Sequence, residues 1–144
     1  MKKIIALLTL FIVTSVAYSQ SCVGKWVTID DETGTKKSIV ELYKKDGMLY
    51  GKIIKLYPRE GRGPNPKCTL CPDDRKNQPL IGLQIIRGMK WDGSEWEEGT
   101  IIDPQKGKIY DAALWLNPAN PNRLNVRGYA GIFFRTQTWI RLPE

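Results

Sequence analysis

The chain contains no histidine, which removes the side chain most often used as a general base or metal ligand near neutral pH. It has only three cysteines, Cys22, Cys68 and Cys71, too few to complete a zinc site of about four nitrogen and sulfur ligands. No serine sits in a nucleophile elbow, no glycine-rich loop cradles a phosphate, and no two carboxylates are spaced as a shared acid and base. Helical amphipathic periodicity of useful length is missing, as are internal repeats and low-complexity tracts. The formal net charge is +7, yet the basic residues are scattered rather than gathered into a stripe with stacking aromatics, which argues against nucleic-acid binding. No metal, cofactor or catalytic centre is expected on this inventory.

What is present begins with an address. Lys2 and Lys3 precede an apolar run over residues 4–13 and a small polar stretch ending Ala17-Tyr18-Ser19, the charged, apolar and cleavable order of a secretory leader. The run is far shorter than the roughly 20 residues a membrane-spanning helix needs. Residues 1–19 are therefore read as a signal peptide and residues 20–144 as one β-barrel domain, periplasmic or secreted, with no integral membrane segment after cleavage. A lipid-anchored form would use Cys22, although Ser19-Gln20-Ser21 lacks the usual upstream leucine. Lys2 and Lys3 leave with the leader, which lowers the net charge from +7 to +5.

In an oxidising compartment Cys68-Thr69-Leu70-Cys71 most simply closes a local disulfide and leaves Cys22 odd. A redox-active pair would open a helix, whereas Asn65-Pro66-Lys67 and Pro72-Asp73-Asp74 read as loop. Asp73 and Asp74 fall well short of the six to eight oxygens calcium takes. Glu95, Glu97 and Glu98 read as a solvated cluster, and Asp103 as a turn cap.

Short segments rich in branched and aromatic residues alternate with Gly, Asn, Asp and Pro, the rhythm of strands joined by hairpins. The spacing predicts strands at 24–29, 37–45, 48–56, 83–91, 96–103, 108–116, 123–129 and 132–142. Asp46-Gly47 forms the clearest tight turn. About eight antiparallel strands in sequence order favour a closed barrel, because closure removes the exposed edges of an open sheet. The one long interruption, residues 57–79, holds both loop cysteines and is long enough to expect a function.

Several motifs in order, Gly24-Lys25-Trp26, Asp103-Pro104 with Gly107-Lys108 and Tyr110, Leu124-x-Val126-Arg127-Gly128-Tyr129 and Arg135-Thr136-Gln137-x-Trp139-x-Arg141, resemble an exported bacterial family catalogued as domain of unknown function 2147. The resemblance spans nearly all of the chain after the leader and implies no activity. Separately, Gly-x-Trp on the first strand and arginine on the last resemble the signature of lipocalins and the wider calycin barrels. That resemblance implies structural roles for Trp26, closing the barrel base, and Arg141, packed over its ring, beside the structural Cys68 and Cys71.

Two readings of the last strand compete, because residues two apart share a face. If Arg141 points inward, so do Trp139, Gln137, Arg135 and Phe133, and Arg127, Asn125 and Tyr129 on the neighbouring strand could join a polar lumen for an anionic or lipid-like ligand. The opposite face carries Ile132, Phe134, Ile140 and Leu142, and the rule that apolar faces meet the core favours that face inward. Candidate ligand contacts are thus Arg127, Arg135, Gln137, Asn125 and Tyr129. The functional expectation is a small-ligand-binding barrel. The alternative is a ligand-free envelope interaction module that uses the 57–79 loop, and the protein partner is unspecified in either case.

Overall fold

The computed structural model describes residues 21–143; the leader read at residues 1–19 lies outside them. Eight strands form: β1 (Gly24–Ile29), β2 (Lys36–Lys45), β3 (Met48–Leu56), β4 (Gln84–Trp91), β5 (Trp96–Asp103), β6 (Lys108–Asn117), β7 (Asn120–Ala130) and β8 (Phe133–Arg141). Each pairs antiparallel with its sequence neighbour, and β8 returns to β1 to close the barrel. The all-β, eight-stranded barrel expected from the sequence is the one that forms.

Local chemistry accounts for the hairpins. Asp46 and Gly47 take positive φ of 52° and 77°, the backbone of a two-residue turn whose twist matches its strands. Asp92 Oδ1 accepts the backbone N–H groups of Ser94 and Glu95 at 2.8 and 2.7 Å, and these bonds hold its carboxyl down at about 2. Asp103 Oδ1 accepts from Gln105 N at 2.9 Å, the turn-capping role read from sequence. The β6–β7 connection is tighter than expected. Asn117 pairs with Asn120 across it and Asn117 Oδ1 accepts from Ala119 N at 2.8 Å, so Pro118 occupies the turn and Pro121 is taken into β7. A proline near a strand's beginning costs little, because few ladder bonds are asked of it there.

The core gathers towards one end. Trp26, Leu42, Leu49, Met89, Trp96, Leu114, Leu124 and Trp139 are buried together. The Trp26 indole N–H donates to the Cys22 carbonyl at 2.8 Å. Arg141 lies over the Trp26 ring at 4.3 Å, a cation–π contact worth on the order of 0.5–2 kcal/mol. The same guanidinium donates to the carbonyls of Ser21 at 2.9 Å and Pro121 at 3.2 Å, fixing the incoming chain and the β6–β7 turn over the barrel base. Cys22 is the one free cysteine and is buried; burial pushes its thiol up to about 11.

The segment between β3 and β4 is an ordered wall. Cys68 and Cys71 are disulfide-bonded, and so small a closed loop contributes about 2 kcal/mol by loop-closure entropy. Arg75, almost fully buried, donates to Asp73 through Nε at 3.0 Å and Nη2 at 2.6 Å, and to the Gln84 carbonyl at 2.9 Å. The Arg75 hydrogen bonds hold the Asp73 carboxyl down at about 2. Lys67 bridges to Pro79, and the loop backbone reaches the sheet where Gly82 N donates to Ile53 O at 2.7 Å. A Cβ at Gly107 would overlap the Leu70 carbonyl oxygen, so glycine there lets the disulfide loop sit flush on the β5–β6 turn.

Candidate functional site

Opposite the filled end the barrel interior stays open. A cavity of about 340 Å³ enters between the β1–β2, β5–β6 and β7–β8 turns and the 57–82 connection. Its deep part is apolar, lined by buried Ile53, Ile85, Ile102, Val126 and Trp139. Polar groups gather nearer the rim, where Lys37, Arg62, Lys106 and Arg135 face the space with a single carboxylate, Asp103.

Two features of the lining leave polar groups able to make a further bond. The hydroxyls of Thr28 and Ser38 are buried inside the barrel, 2.6 Å apart, and either can donate to the other. If Thr28 donates to Ser38, the Ser38 proton is left for a further bond; if Ser38 donates, the Thr28 proton can turn to the Ser38 carbonyl at 3.5 Å. Arg62 is held by Nη2 donating to the Tyr57 carbonyl at 2.7 Å, while its buried Nε has no acceptor among the described residues. A buried donor without a partner is costly, and a bound acceptor would relieve that cost.

The barrel seam adds a third feature. β1 meets β8 only through Trp26↔Arg141 and Val27↔Ile140, so towards the mouth Thr28 and Ile29 have no ladder partner on β8. Side chains span the gap instead. Asp31, from the β1–β2 turn, accepts from Arg135 and, at 3.1 Å, from Gln137 Nε2. Gln137 Oε1 accepts from the Trp139 indole at 3.4 Å. The mouth is thereby cinched by a polar clasp across the weakest part of the sheet.

The orientation of β8 is the reverse of the one favoured from sequence. Trp139 is buried, and Phe133, Arg135 and Gln137 share its inward face and line the cavity. Ile132 and Phe134 are exposed, and Ile140 lies partly so on the outside. Register fixes the consequence for β7. Val126 pairs with Gln137 and Gly128 with Arg135, and cross-strand partners share a face, so Leu124, Val126 and Gly128 are the inward residues there. Arg127, Asn125 and Tyr129 consequently face out. Arg127 stacks on Trp115 at 4.9 Å and Phe134 at 4.4 Å and donates to Thr136 at 2.7 Å. Tyr129 packs on Phe134, and Asn125 accepts from Thr138 at 3.5 Å. Of the five candidate ligand contacts, the structure brings Arg135 and Gln137 to the cavity and leaves the other three on the outer surface.

Sequence reasoning missed Arg62, Asp31 and the Thr28–Ser38 pair. Thr28 and Ser38 alternate with apolar neighbours on the inward faces of β1 and β2, a signal that was legible. Arg62 stands between Gly61 and Gly63 in a loop, and Asp31 meets Arg135 from 104 residues away, so neither leaves a local trace.

A second depression, of about 530 Å³, lies outside the barrel beside β4. Its polar groups already satisfy one another: Arg87 donates to both oxygens of Asp74 at 2.8 and 2.9 Å, and Gln84 to Tyr43 at 2.7 Å. That interlocked surface braces the 57–82 wall.

No curated protein matches the sequence significantly. Among solved structures the chain is similar to protein HP1028 of the human pathogen Helicobacter pylori, described as belonging to the lipocalin family, with a TM-score of 0.72 and 21% identity over 88% of this chain and 86% of that one. At that identity the likeness concerns the fold, and it agrees with the first-strand tryptophan and last-strand arginine that meet at the barrel base here. Residues 24–141, from the first barrel strand to the last, match the family described as "uncharacterized protein conserved in bacteria (DUF2147)", and the chain belongs to that family.

Proposed function

We propose that the barrel binds one small amphiphile, with an apolar body in the cavity and an acidic head at the rim. The single observation that carries this reading is a cavity with an apolar floor and a cationic mouth in which a buried arginine donor lacks an acceptor. The volume falls near the lower limit of about 300–1,000 Å³ typical of small-molecule sites, which fits a single acyl chain or one ring system better than a two-chain lipid. Ile53, Ile85, Ile102, Val126 and Trp139 would cover the apolar body; Arg62, Lys37 and Lys106 would meet the acid, with the Thr28–Ser38 hydroxyls as further partners. Arg135 contributes less charge, because Asp31 already neutralises it.

Export belongs to the same proposal. The leader order of residues 1–19 supports a periplasmic or secreted site of action, and a disulfide at Cys68–Cys71 suits an oxidising compartment. The alternative, an interaction module built on the 57–79 loop, has less support, because that loop spends its buried groups on its own contacts and on the barrel mouth.

Gly128 provides the test. It faces the cavity with an ordinary backbone, and a Cβ there would find its nearest neighbour, Tyr110 Cβ, at 3.5 Å, so a larger side chain is accommodated only by filling the ligand space. Titration of a fluorescent single-chain fatty acid should saturate with the native protein. The same titration should show little or no saturable binding with Gly128→Leu, and an affinity weaker by about tenfold with Arg62→Ala, as expected for a lost charge-assisted bond. Equal binding by the native protein and Gly128→Leu would refute the lumen as the site.

A further inference from the structure

The β7–β8 turn is unlike every other turn of the barrel. Ala130 pairs with Phe133, leaving Gly131-Ile132 as a two-residue tip with φ of 61° at Gly131. Ile132 is 90% exposed, Phe133 74% and Phe134 60%. The other hairpin turns, residues 30–35, 46–47, 92–95, 104–107 and 118–119, carry no large apolar side chain. Phe134 rests on Arg127 and Tyr129 and Phe133 reaches the rim, yet three consecutive large apolar side chains left this exposed invite aggregation unless something apolar receives them. Two of the three, Phe133 and Phe134, also line the cavity mouth, so the apolar tip is continuous with the entrance.

Cations sit behind the tip. Lys37, Arg62 and Lys106 ring the mouth without an ion-pair partner among the described residues, and Arg127 lies on the Phe134 ring. An apolar wedge with basic groups set back from it matches the layering of an anionic membrane surface, in which acyl chains lie beneath phosphates. A protein partner fits less well. A standard interface needs about 800 Å² of complementary surface on each side, whereas a narrow projecting wedge offers little area and a fluid bilayer requires no matching pocket.

We propose that the β7–β8 tip, Ile132-Phe133-Phe134, inserts into an anionic lipid bilayer and, with the basic rim, seats the open end of the barrel on the membrane. This rests on the tip and its charges, independently of what the cavity holds.

Flotation with vesicles of equal parts phosphatidylglycerol and phosphatidylcholine, and with phosphatidylcholine alone, tests it. The native protein should float with the anionic vesicles. Ile132→Asp combined with Phe134→Ser should weaken that binding by about tenfold or more, since each such side chain withdrawn from water is worth on the order of a decade in the equilibrium constant. Near-ultraviolet dichroism identical to the native protein establishes that the variant is folded. A second readout locates the contact. Cys22 is buried and Cys68–Cys71 is bonded, so an environment-sensitive fluorophore on Ile132→Cys reports from the tip and one on Asp46→Cys reports from the opposite end. A blue shift at 132 and none at 46 supports the orientation. No flotation of the native protein, equal flotation of the variant, a shift at 46 alone, or a tip-dependent dimer that leaves vesicles untouched would overturn it. Vesicle binding without uptake of the fatty-acid probe supports this inference while removing the cavity reading, so the two fail separately.

Discussion

The two ends of this barrel are built from the same strands and solve opposite problems. At the closed end Trp26, Leu42, Leu49, Met89, Leu114, Leu124 and Trp139 fill the interior, and Arg141 caps it by joining the Trp26 ring to the carbonyls of Ser21 and Pro121. At the open end the inward positions are taken by Thr28, Ser38, Gly128 and Arg135, residues too small or too polar to fill the space, and a cavity of about 340 Å³ remains. Closure of the backbone ladder follows the same division: β1 and β8 are paired at the filled end, and a side-chain clasp through Asp31 replaces the ladder at the mouth. Strand pairing at the seam and filling of the interior thus coincide at one end, and the other is left open.

The largest effect should come from breaking the filled end. Trp26→Ala removes a fully buried indole and the seat of Arg141, and the expected loss is about 3–5 kcal/mol in chemical denaturation. Ile132→Ser at the open end removes a side chain that touches almost nothing and should stay within about 0.5 kcal/mol. Comparable losses from the two would erase the asymmetry.

A smaller and more local effect is expected from acid. The Asp73 carboxyl is held at about 2, below its ordinary 3.8, chiefly by the Arg75 hydrogen bond. A group whose folded value is depressed stabilises the structure above its ordinary value and loses that contribution as pH falls towards the folded one. The protection factors of the amides in residues 57–82, each rate taken relative to the intrinsic exchange rate at that pH, should therefore fall between about pH 4 and pH 2 while those of the closed-end strands hold, and this group should leave them unchanged from about pH 5 to pH 8. Loss of protection that begins at the closed end would contradict the placement of Asp73 as a brace of the 57–82 wall.

How much of this was legible in the sequence follows from the range of each interaction. Strand and turn chemistry is local, so Asp46-Gly47, the Cys68–Cys71 loop and the eight-strand rhythm could be read directly. The face of β8 could not be read that way. Ile132, Phe134 and Ile140 obey an apolar pattern that elsewhere means core, and here they lie outside because Trp139 on the other face is the larger group to bury. The outward placement of Arg127, Asn125 and Tyr129 depends on the β7–β8 register, and register across a turn is set by pairing the sequence does not spell out. The clasp joining Asp31 to Arg135 is longer in range still.

The central claim, that the open end exists to hold a small acidic amphiphile, is tested most directly by native mass spectrometry of the protein purified from the bacterium that makes it. The account predicts a bound species of one small molecule per chain that is released on denaturation and absent from Gly128→Leu. A native protein that is reproducibly empty, in preparations where Gly128→Leu is indistinguishable from it, would contradict that claim.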